Sequence, residues 1–177
     1  MHLERIRSTE HPLYTKAISL YQISFPTHEQ REAPSQSAIL SDDRYHFTLL
    51  LEGDTFVGLL LFWEMPKLLY IEHFYILPEL RNKQYGQQAL ALLRQQNKLL
   101  LLEIDPPTDE ISRRRKGFYE RAGFVENPYP HIHPPYHAEN EGHPLVVMTA
   151  PSPIEPTEYE GFRHFLDDPI MKDVFSV

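Results

Sequence analysis

The chain has 177 residues, with 25 acidic and 17 basic side chains and a net charge of −8. That length suits one domain with at most a small appendage, and it can bury a substantial core. The acidity argues against a general nucleic-acid binder. The absence of cysteine excludes a disulfide framework or thiolate-bound zinc, and no apolar run approaches the ~20 residues of a membrane span.

Leu3–Ser8 alternates apolar and charged residues, as a short strand does. Pro12–Phe25 sets Leu13, Ala17, Leu20 and Tyr21 at helical spacing, and Pro26 ends it. Glu29–Asp42 is less regular, and Pro34 interrupts it, so a second short helix is expected there. Tyr45–Leu51 and Thr55–Glu64 read as strands joined by the turn Glu52-Gly53-Asp54, with Leu59, Leu61 and Trp63 as core. Leu68–Leu77 is a third strand of that group, closed by Pro78. Tyr85–Asn97 carries Leu90 and Leu93 among helix formers, and Leu99–Ile104 is an apolar run broken only by Glu103, which suits a buried strand. Thr108 is positioned to cap a helix that reaches Ala122 and stops at Gly123. Phe124–Tyr129 and Leu145–Ala150 read as the last two strands, and Thr157 with Glu160 predicts a capping box for a helix bearing Phe162, Phe165 and Leu166. This order predicts an α/β fold with a mixed sheet: a domain over residues 1–150 and a helical extension over 151–177 packed on it.

Charge and proline are uneven along the chain. Arg81–Arg121 holds nine basic and five acidic residues, a local net of +4, which leaves −12 on the other 136 residues. A basic segment in an acidic protein suits either an anionic ligand or ordinary solvated helix faces. Eight of the 16 prolines fall between Pro128 and Pro156, so that stretch is expected to be a loop.

The segment Pro78–Gly86 carries the strongest chemical signal. A strand that turns through a short loop into a helix leaves backbone N–H groups without intrahelical partners, and with the helix dipole they can hold a diphosphate. Arg81 and Lys83 add charge at its rim, and Gly86 allows close approach. A second signal is Phe118-Tyr119-Glu120-Arg121-Ala122-Gly123-Phe124, where a tyrosine stands four residues before a glycine stop. Such a tyrosine is either a buried hydrogen-bonding residue or a proton donor to a thiolate.

Together these segments resemble the GNAT superfamily of N-acetyltransferases. The family's loop reads Arg/Gln-x-x-Gly-x-Gly/Ala, and Arg81-Asn82-Lys83-Gln84-Tyr85-Gly86 follows it except at Gln84. The Phe118–Phe124 block follows the family's Phe-Tyr-Glu-x-x-Gly-Phe pattern in full. Ile71-Glu72-His73-Phe74 and Pro134-Pro135-Tyr136 are similar to a bacterial-type acetyltransferase subgroup. The resemblance implies an enzyme with a splayed, mostly antiparallel sheet flanked by helices on both faces; the composition, with no apolar signal core after Met1, leads us to expect a cytoplasmic protein.

It also implies acetyl-CoA as co-substrate, its pantetheine arm along Phe74, Tyr75 and Ile76 and its diphosphate held at Arg81, Asn82, Lys83, Gln84, Tyr85, Gly86 and Gln87. Ser112, where many relatives carry asparagine, would also face the cofactor. An amine, free or on a peptide, would attack the thioester directly. Tyr119 would protonate the leaving thiolate, and Glu72 or His73 would help remove the amine's proton. Strand alternation puts Glu72 and His73 on opposite faces unless a bulge intervenes. Gln84 either crowds the diphosphate or takes a left-handed conformation at about 1 kcal/mol or more. The alternative reading is a non-catalytic acyl-CoA sensor. No nucleic acid or membrane partner is expected, and the protein is expected to be a monomer or homodimer. His131, His133, His137 and His143 have some of the spacing of a metal site, but the prolines among them argue for a substrate-shaping loop, and no metal is expected.

Overall fold

The Tyr45–Glu64 stretch folds as the hairpin its pattern predicts, and one part of the molecule is built outward from it. In the computed structural model, which describes residues 1–175, the elements are β1 (His2–Ile6), α1 (Tyr14–Ser24), α2 (Ala33–Ala38), β2 (Tyr45–Glu52), β3 (Thr55–Glu64), β4 (Leu68–Ile76) and α3 (Tyr85–Arg94). They continue with β5 (Leu99–Ile104), α4 (Glu110–Arg121), β6 (Val125–Glu126), β7 (His131–His133), β8 (His143–Ala150) and α5 (Pro156–Phe165). This is the expected mixed α/β fold, with mostly antiparallel strands.

The chain forms two units. The first comprises residues 1–24 and 39–102. Here β2 and β3 pair from Tyr45↔Trp63 to Glu52↔Thr55, closing over Gly53 at φ +56°, a left-handed turn position that suits glycine. β1 joins β2, and β4 joins β3, both antiparallel. β3 is buried at every residue from Val57 to Trp63, so both of its faces are covered. This is why its sequence reads as a continuous apolar run rather than an alternating one. α1 buries Ala17, Leu20 and Tyr21, the stripe its spacing predicts.

β4 positions the site. Its other neighbour is β5, in parallel, over Leu68↔Leu99 to Ile71↔Leu102 only, while β4 runs on to Ile76. On the β3 side the pairing continues to Gly58↔Ile76, with a register shift that sets Leu61 opposite His73 and Phe62 opposite Ile71. Glu72 is thus the extra residue of a bulge. Gly58 makes that pairing possible: a Cβ there would lie 2.0 Å from the Tyr75 carbonyl oxygen.

The second unit comprises residues 25–38 and 103–177, described here to residue 175. α4 is capped by Asp109 rather than Thr108, with Ser112 as the reciprocal partner. Gly123, at φ +81°, follows its end. β6 is only two residues long, where Phe124–Tyr129 was expected to be strand. Pro128 and Pro130 lack donors, and Asn127 spends its side chain on Thr149 Oγ1 (2.8 Å) and the Ile154 amide (3.0 Å). The proline-rich stretch is not all loop: His131–His133 pairs with Leu145–His143 of β8. α5 starts at Pro156, where a missing N–H costs nothing, and the Glu155 amide donates to Glu158 Oε2 at 3.0 Å. The box predicted on Thr157 and Glu160 therefore lies two residues earlier. Phe162 is fully buried, and Phe165 is half-buried.

Candidate active site

The loop after β4 is shaped by its backbone. A single turn, Pro78–Leu80, leads to Arg81 in extended geometry (φ −64°, ψ 159°). Asn82 and Gln84 then stand at φ +63° and +65°, on either side of Lys83. Left-handed residues alternating with others build the concave backbone surfaces that receive anions. Gln84 is the N-cap of α3 and supplies no side-chain cap, so no cap side chain takes up the amides of the first turn, Tyr85 to Gln87. It adopts the left-handed state that the missing glycine would have occupied freely. Arg81 folds back on the strand end: its Nε donates to the Ile76 carbonyl at 3.2 Å, and its guanidinium lies 5.4 Å from the Tyr75 ring centre. Lys83 is exposed.

On β4 the bulge removes the simple alternation expected of Glu72 and His73. Glu72 is half-buried, and its Oε2 accepts a hydrogen bond from Trp63 Nε1 at 3.1 Å. His73 is buried, with its ring edge-on to Tyr21 at 5.2 Å.

Tyr119 is buried near the end of α4, between Phe118 (5.1 Å) and Phe124 (5.6 Å). Burial pushes its phenol up to about 12, with Arg115 pulling weakly the other way. Ser112 is buried, and its hydroxyl sits 3.1 Å from both the amide and the carbonyl of Asp109. Of the three consecutive arginines, Arg113 donates to the Thr108 carbonyl (2.9 Å) and Arg115 pairs with Asp105 (2.6 Å), while Arg114 is exposed.

The histidines do not act as a single group. His137 approaches the Thr27 carbonyl (2.9 Å), and His143 meets Asp105 (3.2 Å) and stacks on His28. His131 and His133 instead turn inward to Glu103, a residue that sequence reasoning read only as a break in an apolar strand. Among the described residues no group of His, Asp and Glu has the arrangement of a metal site.

The β4–β5 ladder stops at Ile71↔Leu102, β4 is bulged, and a left-handed loop feeds α3. The chain belongs to the Acetyltransferase (GNAT) family, whose family model matches residues 6–124. It is 29% identical over 104 residues to "Putative acetyltransferase YjbC" of Bacillus subtilis, a match covering 56% of this chain and 52% of that protein. The chain thus spans about half the length of that curated relative. A solved structure described as "Putative acetyltransferase from GNAT family from Bacteroides thetaiotaomicron" superposes with a TM-score of 0.89 at 27% identity, covering 97% of this chain and 98% of that one. An aminoglycoside 6'-N-acetyltransferase complexed with coenzyme A shares the fold, with a TM-score of 0.57 at 13% identity over 84% of this chain and 96% of that one. Among the described residues no helix is long and apolar enough to cross a membrane.

Proposed function

We propose that the protein is an N-acetyltransferase that moves the acetyl group of acetyl-CoA to an amine by direct attack. The observation that carries this reading is the run of β4 beyond its ladder with β5, followed at once by the left-handed loop into α3. Phe74, Tyr75 and Ile76 would receive the pantetheine amides as an added strand does, and an N–H near Ile76 would polarise the thioester carbonyl. The amides of Arg81 to Gln87, opening α3, would hold the diphosphate. Ser112 would contribute through whatever hydrogen bonding its cap leaves open.

The amine nitrogen forms the new C–N bond as the C–S bond breaks. Glu72 or His73 assists removal of the amine proton, directly or through water, and the Tyr119 phenol donates its proton to the departing sulfur. A phenol near 12 stays protonated at any working pH, so Tyr119 is always loaded. Its proton is harder to release than an ordinary phenol's. The same apolar surroundings make a thiolate formed there more basic, which narrows the mismatch. The net charge of −8 favours cationic amines.

Calorimetry with acetyl-CoA, followed by mass spectrometry after incubation with spermidine, a lysine-containing peptide, a free-N-terminus peptide and an aminoglycoside, tests the reading. Binding with an acetylated product supports it. Binding without product from any of these amines would favour the sensor reading, to which the departure at Gln84 lends some support.

A further inference from the structure

Trp63 is the chain's single tryptophan, and its buried indole ends on a carboxylate. The indole Nε1 lies 3.1 Å from Glu72 Oε2. An indole N–H can only donate, so Glu72 accepts whatever its own protonation. The donor is firmly held. Trp63 is 1% exposed on β3, directly opposite Tyr45 of β2 on one side and Tyr70 of β4 on the other. The Tyr45 ring centre lies 4.9 Å from that of the indole, with the planes tilted by 45°. Both tyrosines are themselves buried. An indole packed in this way sits in a rotamer minimum, and its N–H is a fixed point of the first unit.

The acceptor of that hydrogen bond stands at a special place on β4. Glu72 is half-buried and is the extra residue of the bulge, a device that re-aims side chains. It follows Ile71, the last β4 residue paired with β5, and precedes Phe74, where the pantetheine arm would begin, by two positions. Leu61 and Trp63, two apart on β3, share a face, and His73 stands opposite Leu61. Glu72 reaches the indole on that same face, so the bulge turns Glu72 and His73 to one side. A buried indole needs only an acceptor, and a carbonyl, a hydroxyl or an amide oxygen would serve. A carboxylate half-withdrawn from water costs more than any of these, yet it stands at the residue where β4 leaves β5. A carboxylate has about four acceptor positions, so one bond from Trp63 orients the group without exhausting it.

We propose that Trp63 is a positioning residue for the acceptor: its N–H holds the Glu72 carboxylate where the incoming amine needs it, which makes Glu72 rather than His73 the group that assists deprotonation. This rests on the acetyltransferase reading. As the C–N bond forms and the C–S bond breaks, the amine proton passes to Glu72, directly or through water. The departing sulfur takes the C–S electrons and the phenolic proton. A glutamate has three side-chain torsions, and without the indole it samples rotamers that lie away from the reacting nitrogen. The loss then falls on the amine and not on coenzyme A. His73, 5% exposed and edge-on to the Tyr21 ring, is the more deeply withdrawn of the two.

With one tryptophan in the chain, the indole gives a single side-chain N–H signal in ¹H–¹⁵N spectra of the whole protein. In the complex with coenzyme A, saturating amounts of the best amine from the panel above should move that signal, because a cation at Glu72 draws charge from Oε2. A signal that the amine leaves in place would overturn the proposal. The second test is kinetic. Replacing Trp63 by β-(3-benzothienyl)alanine puts sulfur where the indole N–H stood, which removes the donor and keeps the shape. The kcat/KM for the amine should fall at least about tenfold, with the calorimetric Kd for coenzyme A within about twofold of wild type. Glu72→Gln keeps an oxygen for the indole and should be slower by about 10²-fold or more. In that background the sulfur replacement should have no further effect, whereas a merely structural indole would slow both proteins alike. An unchanged kcat/KM, or equal losses in the two backgrounds, would refute the proposal while leaving the acetyltransferase reading intact. A wild-type protein that neither binds coenzyme A nor acetylates any panel amine would refute both.

Discussion

The Arg81–Gly86 loop and the Glu103–His131–His133 cluster are built on opposite principles. The loop exposes its side chains and works through backbone: two left-handed residues, an uncapped helix start and a strand end held against β3. The cluster buries its side chains and is held by hydrogen bonds, in which two backbone carbonyls and a phenol meet two imidazoles and a carboxylate. A backbone-built site should be sensitive to added Cβ atoms and φ angles but indifferent to pH. A side-chain-built site should show the reverse.

The largest expected effect falls on the backbone side. Gly58→Ala would drive a Cβ to 2.0 Å from the Tyr75 carbonyl oxygen, and neither strand has a flexible side chain there that could yield. We expect a loss of about 3 kcal/mol or more in urea denaturation, or displacement of the end of β4. Calorimetry should show coenzyme A binding lost with it. Wild-type affinity in a folded Gly58→Ala protein would separate that strand from the cofactor.

Ionisation elsewhere in the first unit gives a comparison for the pH argument. His46 stacks on Phe62 at 4.3 Å and lies 3.2 Å from Glu64 Oε2. Burial first, and then Arg5, push it down to about 4. A depressed histidine is stabilising above its unfolded value near 6.5, and that stability is lost as pH falls through 4. The loss should amount to roughly 3 kcal/mol. His46→Gln should flatten the acid limb of a stability–pH curve measured by denaturant titration. An unchanged limb would mean that folding leaves the proton affinity of His46 unaltered.

Tyr119 draws on both principles, since a local motif places it and its proposed action is a proton transfer. Tyr119→Phe should reduce turnover at least about tenfold with cofactor affinity little changed. Equal turnover would remove the phenol from the chemistry and leave it as a core residue between Phe118 and Phe124.

What the sequence disclosed follows the same division. Tyr85 as the start of α3, the β2–β3 hairpin and Tyr119 near a helix end all depend on residues a few positions apart, and periodicity or motif reveals them. Glu103 and His131 are 28 residues apart, and no spacing rule connects them. Glu103 read as an interruption in a buried strand, and Pro130, Pro134 and Pro135 disguised β7 as loop, although prolines flanking a three-residue strand leave its ladder intact. Its one visible trace was the His-x-His alternation, which sets both rings on one face. The caps moved by one or two residues because Asp109 and Pro156 compete better for those positions than Thr108 and Thr157. The bulge at Glu72 had no local signature, since it is a property of the register between two strands.

The smallest effect tests the backbone principle most directly. Gln84 holds φ +65°, where a residue with a Cβ is strained by about 1 kcal/mol and glycine is not. Gln84→Gly should remove that strain, although the added freedom of the unfolded chain returns part of the gain. The net change in stability should therefore be under about 1 kcal/mol, read by denaturant titration. Cofactor binding should tighten, because the exposed Gln84 side chain is then removed from the loop. If calorimetry shows equal or weaker binding of acetyl-CoA, the glutamine side chain itself contributes to the grip. The loop would then be less purely a backbone device than its two left-handed residues imply.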